Sequence, residues 1–346
     1  MNPDTPRSRA KQIAIAAAVA LGIAWSLAPR TTASAKAAVG ARNGEIVFAV
    51  GQDPTRQQLD GSFLEFNLFS VSPTGEGLRQ ITSAPGVEIS PAWAPDGLRI
   101  AFSGGPNLYA SMDIQIVEVA SGETINLTNS PTSDEYSPDW SPDGKRLVFA
   151  SALNAPLALP YPAHTVTNDY DLYVMNADGR EVQRLTESTD WDSYPAWSPS
   201  GDWIAYMRDG SIALISPDGS KTRLLVNQLE LGQGLYDPEW SPDGRKLLFA
   251  TAAPDTFEIP LLPCACDSDV WVVNVDGSGL RNLTAKSDAH EYAAAWSPDG
   301  RRIVFTSNRT GARQPYLMNP DGSNVVPLID LQLDSGGAGL DWGPRP

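Results

Sequence analysis

One phrase constrains this chain more than any other: Trp-Ser-Pro-Asp-Gly. It stands intact at Trp140–Gly144, Trp240–Gly244 and Trp296–Gly300. Near copies occupy Trp93–Gly97 (with Ala94) and Trp197–Gly201 (with Ser200), and Trp342-Gly343-Pro344 is a truncated sixth. The tryptophans fall 47, 57, 43, 56 and 46 residues apart. A period in that range marks one small supersecondary unit repeated in tandem, each copy burying its apolar face only against its neighbours.

The unit can be read from what flanks the phrase. A short extended run precedes it, as at Tyr136-Ser137-Pro138-Asp139. An apolar or alternating run follows it: Arg99–Ser103, Arg146–Ser151, Trp203–Met207, Lys246–Thr251, Arg302–Ser307. Asp-Gly between two such runs signals a hairpin, because Gly accepts a positive φ without a Cβ clash. A third run comes next (Asp113–Val119, Asp171–Asn176, Ser211–Ser216, Asp269–Asn274, Pro315–Asn319), then a second Asp-Gly turn, as at Asp178-Gly179 and Asp276-Gly277. A fourth run closes mostly on Leu-Thr, at Leu127, Leu185 and Leu283. Four up-and-down strands per period make one antiparallel blade.

The two ends complement each other. Gly44–Val50 reads as a second strand with no Trp strand ahead of it, and Gly339–Trp342 is a first strand with nothing after it. The expected fold is therefore all-β: a six-bladed β-propeller of four-stranded antiparallel blades over residues 44–346, closed by pairing of the N- and C-terminal strands. One large domain suits 346 residues at 42% hydrophobic content with 29 Gly and 29 Pro.

Pro-x-Trp-Ser-Pro-Asp-Gly, followed by an apolar strand and then a strand such as Leu172-Tyr173-Val174-Met175-Asn176-Ala177-Asp178-Gly179, resembles the TolB-type propeller repeat, a relative of the WD repeat. The resemblance covers about residues 44–342, the propeller part only. It implies fold rather than activity, since such repeats serve binding, assembly and enzyme-associated proteins alike. TolB itself carries an α/β domain ahead of its propeller, and other propellers of this repeat precede peptidase domains. Neither additional domain is expected here.

The start reads as an export signal, residues 1–35, with 36–43 as linker. Arg7, Arg9 and Lys11 supply the positive region, Ile13–Ala28 is apolar apart from Ser26, and Ala33-Ser34-Ala35 offers a cleavage site. The apolar stretch is short for a spanning helix, though an uncleaved anchor is the alternative. Either way the folded part is expected outside the cytoplasm: periplasmic, secreted or at the cell surface.

The formal net charge is −16, and because residues 1–35 are basic the remainder is more acidic still. Such a surface repels phosphate backbones and anionic headgroups, so no nucleic acid is expected, and no membrane beyond the N-terminal segment. Protein partners, small ligands and cations remain, with the chain expected to be a monomer. Cys264 and Cys266, one residue apart, cannot staple the fold and are too few for a metal site.

Function is expected on the face that carries the long insertions, Gln52–Ser62, Ala152–Asp169 and Ala252–Ser268, and the blade-to-blade connections. Five residues before the tryptophans stand Glu88, Glu135, Asp192 and Glu291, with Asp237 near one gap in the series. Beside them fall Tyr136, Tyr236 and Tyr292, with Tyr194 one position on, and His290 precedes Glu291. This spacing predicts an acidic and aromatic ring at the channel mouth, able to hold a cation such as Ca²⁺ or a basic or sugar-like ligand. The architectural alternative has the carboxylates accepting hydrogen bonds between blades and the tyrosines packing. Only two histidines exist, His164 and His290, and no Gly-x-Ser-x-Gly or His-Glu-x-x-His occurs. Two functions follow. The first is an exported, non-catalytic scaffold binding a protein or ligand through its loop face. The second is a hydrolase or lyase acting on a sugar or ester with a divalent metal in the channel and His290 as acid or base.

Overall fold

The five full copies of the repeated phrase fold as hairpin turns. In the computed structural model, which describes residues 43–51, 65–106, 111–131, 133–152, 170–187, 191–252, 268–285, 287–329 and 339–345, Ser141 N donates to Arg146 O at 2.9 Å and Gly144 N to Ser141 O at 2.8 Å. Gly144 sits at φ 66°, the left-handed region the turn demands. Asp143 Oδ1 ties the loop down by accepting from Ser141 Oγ and Lys145 N. The same bonds recur at Ser241–Lys246 and Ser297–Arg302. The insertions expected at 52–62, 152–169 and 252–268, the two cysteines, His164 and the N-terminal signal fall wholly or largely outside the described residues.

The strands run in chain order. β1 (Asn43–Gly51), β2 (Phe66–Val71) and β3 (Arg79–Gln80) come first. Then follow β4 (Val87–Trp93), β5 (Arg99–Gly105), β6 (Asp113–Glu118) and β7 (Thr124–Asn126). β8 (Glu135–Trp140), β9 (Arg146–Ser151), β10 (Asp171–Asn176) and β11 (Gln183–Arg184) form the next antiparallel sheet. β12 (Asp192–Trp197), β13 (Ile204–Arg208), β14 (Ser211–Ile215) and β15 (Thr222–Val226) form another. A single helical turn, α1 (Gln228–Leu231), is capped by the Asn227 side chain and leads into β16 (Gly234–Trp240), β17 (Lys246–Ala252), β18 (Val270–Asn274) and β19 (Arg281–Asn282). β20 (Glu291–Trp296), β21 (Ile303–Thr310), β22 (Ala312–Met318) and β23 (Val326–Pro327) make the last four-stranded sheet, and β24 (Leu340–Pro344) ends the described chain.

β24 does not join the sheet before it. It pairs antiparallel with β1, matching Ile46 with Trp342, Val47 with Asp341 and Phe48 with Leu340. The order β24-β1-β2-β3 is thus a four-stranded unit like the others, joined to β4–β7 through one parallel bridge between Phe66 and Val87. The apolar core lies between units rather than within them. Trp140, for example, packs with Ala92, Ile114 and Ile116 of the preceding unit and with Leu147, Phe149 and Tyr173 of its own. β1 and β24 pack against Tyr292, Ala295, Val304 and Leu317 of the β20–β23 sheet. A buried Trp holding two sheets together contributes several kcal/mol, roughly 3–5 by the cost of truncating one.

One irregularity repeats in every Trp strand. Three residues before each tryptophan the chain adopts positive φ: Ser90 (51°), Ser137 (52°), Tyr194 (51°), Asp237 (56°), Ala293 (48°) and Gly339 (99°). In the five strands from β4 to β20 the ladder register shifts at this point, for example between Tyr136 and Asp139 against β9. This is a β-bulge, with two residues opposing one. Side chains before the bulge and after it therefore fall out of the strict period-two alternation.

Candidate ligand-binding site

The Trp-bearing strands β4, β8, β12, β16, β20 and β24 border one cavity of about 430 Å³. Each contributes the residues that follow its bulge, so Ala92, Asp139, Ala196, Glu239, Ala295 and Asp341, the positions just ahead of the tryptophans, all line it. Pro95, Pro142, Pro199, Pro242, Pro298 and Pro344 edge it beside the turns. Tyr236 and Tyr292, earlier in their strands, line it too, with Tyr194. Among the described lining residues the charged groups are Asp139, Asp237, Glu239 and Asp341, and none is Lys, Arg or His.

These carboxylates bear the mark of crowding in a poorly solvated space. Burial pushes Asp139 up to about 7, despite hydrogen bonds from the Trp197 and Trp140 backbones. Asp341 rises to about 6, chiefly through burial, and Asp237 to about 6 through burial and then repulsion from Asp341. Glu239 is driven well above the usual carboxylate range by burial first and then by Asp341, Asp139 and Asp237.

Two of the group also hold units together. The free inner edge of a Trp strand leaves backbone N–H groups that no ladder satisfies. Trp197 N donates to Asp139 Oδ2 of the preceding unit at 2.5 Å, and Trp93 N donates to Asp341 Oδ2 at 2.7 Å. The intervening joints use the indole instead: Trp140 Nε1 donates to Ala92 O at 3.2 Å and Trp240 Nε1 to Ala196 O at 3.0 Å. Arg99 and Arg146 stack over the Trp140 and Trp197 rings at 4.7 and 4.8 Å.

The residues singled out from spacing divide between this cavity and the joints. Tyr194, Tyr236, Asp237 and Tyr292 line the cavity. Glu88, Glu135, Asp192 and Glu291 are not among its lining residues and are each at least 94% buried. Glu88 accepts from Thr82 Oγ1, at the Ile81-Thr82 end of the preceding unit. Glu135 accepts from Ser133 Oγ at 2.5 Å and Ser151 Oγ at 3.1 Å. Glu291 accepts from Ser287 Oγ, Ser307 Oγ and Arg309 Nη2, the last at 2.8 Å. Asp192 has Arg208 Nε at 4.0 Å. Burial raises Glu88 and Glu135 to about 7. Tyr136 faces a small hollow with Tyr170, Trp191 and Tyr194 and is tilted against Tyr170 at 5.9 Å. His290 donates its backbone N–H to Asn308 Oδ1 at 2.9 Å and is not a lining residue of the cavity. Among the described residues no group of three or more His, Cys, Asp or Glu side chains is placed to hold a metal ion.

Asp139, Glu239 and Asp341 are the site residues that the repeat spacing does not single out. Their signal lies in the alternation Ala92, Asp139, Ala196, Glu239, Ala295, Asp341 immediately before the tryptophans. It is invisible to a period-two reading started five residues earlier, because the bulge intervenes.

Antiparallel four-stranded sheets with cores between them, set around a common cavity, define the chain as a β-propeller protein. Comparison with known proteins shows that it resembles TolB propellers. Over 157 residues, 45% of this chain and 33% of the relative, it is 30% identical to the Tol-Pal system protein TolB of Bordetella pertussis. An uncharacterised protein of Agrobacterium fabrum is 28% identical over 136 residues, 39% of each chain. These matched segments span well under half of either relative. Among solved structures, TolB from Acinetobacter baumannii superposes over 99% of this chain and 74% of its own at TM-score 0.64 and 18% identity. A putative TolB from Agrobacterium tumefaciens does so over 89% and 100% at 0.60 and 17%. An oligogalacturonate lyase in complex with manganese shares the fold over 83% and 79%, at 0.52 and 17%. No family model matches the chain.

Proposed function

We propose that this protein is an exported binding scaffold, a six-bladed propeller closed by β24 against β1. On this reading it engages a protein partner or a ligand at the central cavity and the adjoining face of inserted loops. The observation that carries the reading is the cavity itself: Trp strands of six units line it, and its described charged groups are all acidic. A converging wall of aromatic and apolar side chains with a few placed polar groups is the usual build of a ligand site. Export is supported by the basic, apolar and small-residue order of positions 1–35. Among the described residues no helix is long and apolar enough to cross a membrane.

The enzyme reading has less behind it. The lyase likeness, at 17% identity, concerns fold alone. Glu291 is engaged by Ser287, Ser307 and Arg309, and His290 is not among the cavity's lining residues.

Two experiments test the proposal. Deleting residues 339–346 removes buried Leu340 and Trp342 and opens the ring, so the melting temperature is expected to fall by more than 10 °C, on the order of 5 kcal/mol. A truncated chain that melts with the wild type contradicts closure. For binding, one partner identified by crosslinking the wild-type protein is then titrated against Tyr236→Ser and Leu261→Ser/Leu262→Ser. Weakened affinity at unchanged melting supports the reading, and affinity equal to wild type in both variants contradicts it. N-terminal sequencing of the mature protein checks export.

A further inference from the structure

The chain is built on a two-unit repeat. Tryptophans two units apart are separated by 104, 100, 99 and 102 residues, far more regular than the single steps. The residue before the tryptophan follows the same rhythm, Ala in alternate units and Asp139, Glu239 or Asp341 in the others. These three carboxylates are therefore structural equivalents, and equivalents should do the same work.

Two of them do. Asp139 and Asp341 each accept the Trp N–H of the next unit. Glu239 is the exception. It is one methylene longer, lines the cavity, and has no hydrogen-bond or ion-pair partner among the described residues. An unpaired carboxylate set among three others costs stability, and the cavity's described lining offers no cation to offset it. A residue that gives up the joint its equivalents make, at that cost, is placed for something that enters the cavity.

The chemistry of the visitor follows from the walls. A bare ion such as Ca²⁺ needs several oxygen ligands converging at about 2.4 Å, and among the described residues no such group forms. An ammonium needs less: one carboxylate and the faces of aromatic rings, with its methylene stem against apolar surface. Tyr194, Tyr236 and Tyr292 supply rings, Ala and Pro side chains supply apolar wall, and about 430 Å³ admits a slender chain. We propose that Glu239 anchors an aliphatic ammonium on a flexible stem inside this cavity. The ammonium belongs either to a free polyamine or to a lysine of a partner segment. The inference rests on the scaffold reading and names the ligand chemistry of its central site.

The test is calorimetric titration of the full-length protein at pH 7.5 with spermidine, a capped tri-lysine peptide and calcium chloride as separate probes. At least one ammonium probe is expected to bind at one per chain, and Glu239→Gln to weaken it tenfold or more. Binding of spermidine alone assigns a free polyamine, and binding of the peptide alone assigns a partner's lysine. The inference is overturned if neither ammonium probe binds, if only calcium binds, or if Glu239→Gln binds as the wild type does. Should Glu239→Gln melt below the wild type, the titration repeated at pH 5.0 decides: protonation of the cavity must weaken binding tenfold or more, and unchanged binding overturns the inference. If partner capture survives while both ammonium probes fail, the scaffold reading stands and this inference alone falls.

Discussion

The carboxylates that stand five residues before a repeat tryptophan and those that stand one residue before it differ in what surrounds them. Glu88, Glu135 and Glu291 are buried among hydroxyls, with Arg309 on the last, and they brace the entry to β4, β8 and β20. Asp139, Glu239 and Asp341 stand on the cavity side of the bulge, where other carboxylates are the main electrostatic company. Both sets are acidic, both recur with the repeat, and four residues separate them. The bulge between them leaves one set buried among hydroxyls and sets the other on the cavity. A repeat can therefore present a structural and a site-forming carboxylate on one short strand, provided the strand is irregular between them.

The comparison is most exposed to removal of a brace. Glu291→Ala leaves Arg309, whose side chain is 24% exposed, without its partner, and leaves Ser287 and Ser307 without their acceptor. A cost of about 3–5 kcal/mol is expected, read as urea or thermal unfolding. Little or no loss would put Glu291 in the same category as the cavity set. Next in size is Asp139→Ala, which removes the acceptor of the Trp197 N–H and should cost about 1–3 kcal/mol, unfolding being the readout.

The pH profile follows in magnitude and separates the two groups less sharply. Glu88, Glu135 and Asp139 titrate at about 7 in the fold, and Asp237 and Asp341 at about 6, all raised by burial. The folded protein thus holds protons that the unfolded chain releases between pH 4 and 7. Stability from these groups is present in acid and lost as pH rises through that window. Turn carboxylates such as Asp143 and Asp243 are lowered by Ser141 and Ser241 and act in the opposite sense, their contribution lost only in stronger acid. A melting temperature several degrees higher at pH 5.5 than at pH 8 is expected, and a flat or rising profile toward pH 8 would contradict the burial argument. The smallest change is Glu239→Gln. With no bond among the described residues to lose and repulsion from three neighbouring carboxylates to shed, it should melt at or slightly above the wild type, within about 1 kcal/mol.

Much of the fold is legible in the amino-acid sequence. Trp-Ser-Pro-Asp-Gly announces its turn because Pro, Asp and Gly each have a stereochemical reason to be there, and Gly144 takes the positive φ expected. The unmatched ends, Gly44–Val50 and Gly339–Trp342, foretell the β1–β24 pairing. The bulge is not legible. Its left-handed position is filled by Ser90, Ser137, Tyr194, Asp237 and Ala293, and only Gly339 carries the usual signal, so tertiary packing and not local preference holds it. Without the bulge, strand alternation points to the wrong face. That is why spacing alone singles out Glu88 and Glu135, which do not line the cavity, and passes over Asp139 and Glu239, which do, while Tyr236, Tyr292 and Tyr194, close to the bulge, line it as well.

The most direct test of the division between bracing and cavity carboxylates is a carboxyl-carbon NMR titration of Glu239 in the ligand-free protein. A midpoint well above the ordinary glutamate range is expected, because the side chain is buried beside Asp341, Asp139 and Asp237 and has no partner among the described residues. An ordinary midpoint would contradict this division: Glu239 would then be solvated or paired, and the cavity would lose the one group that sets it apart from the joints.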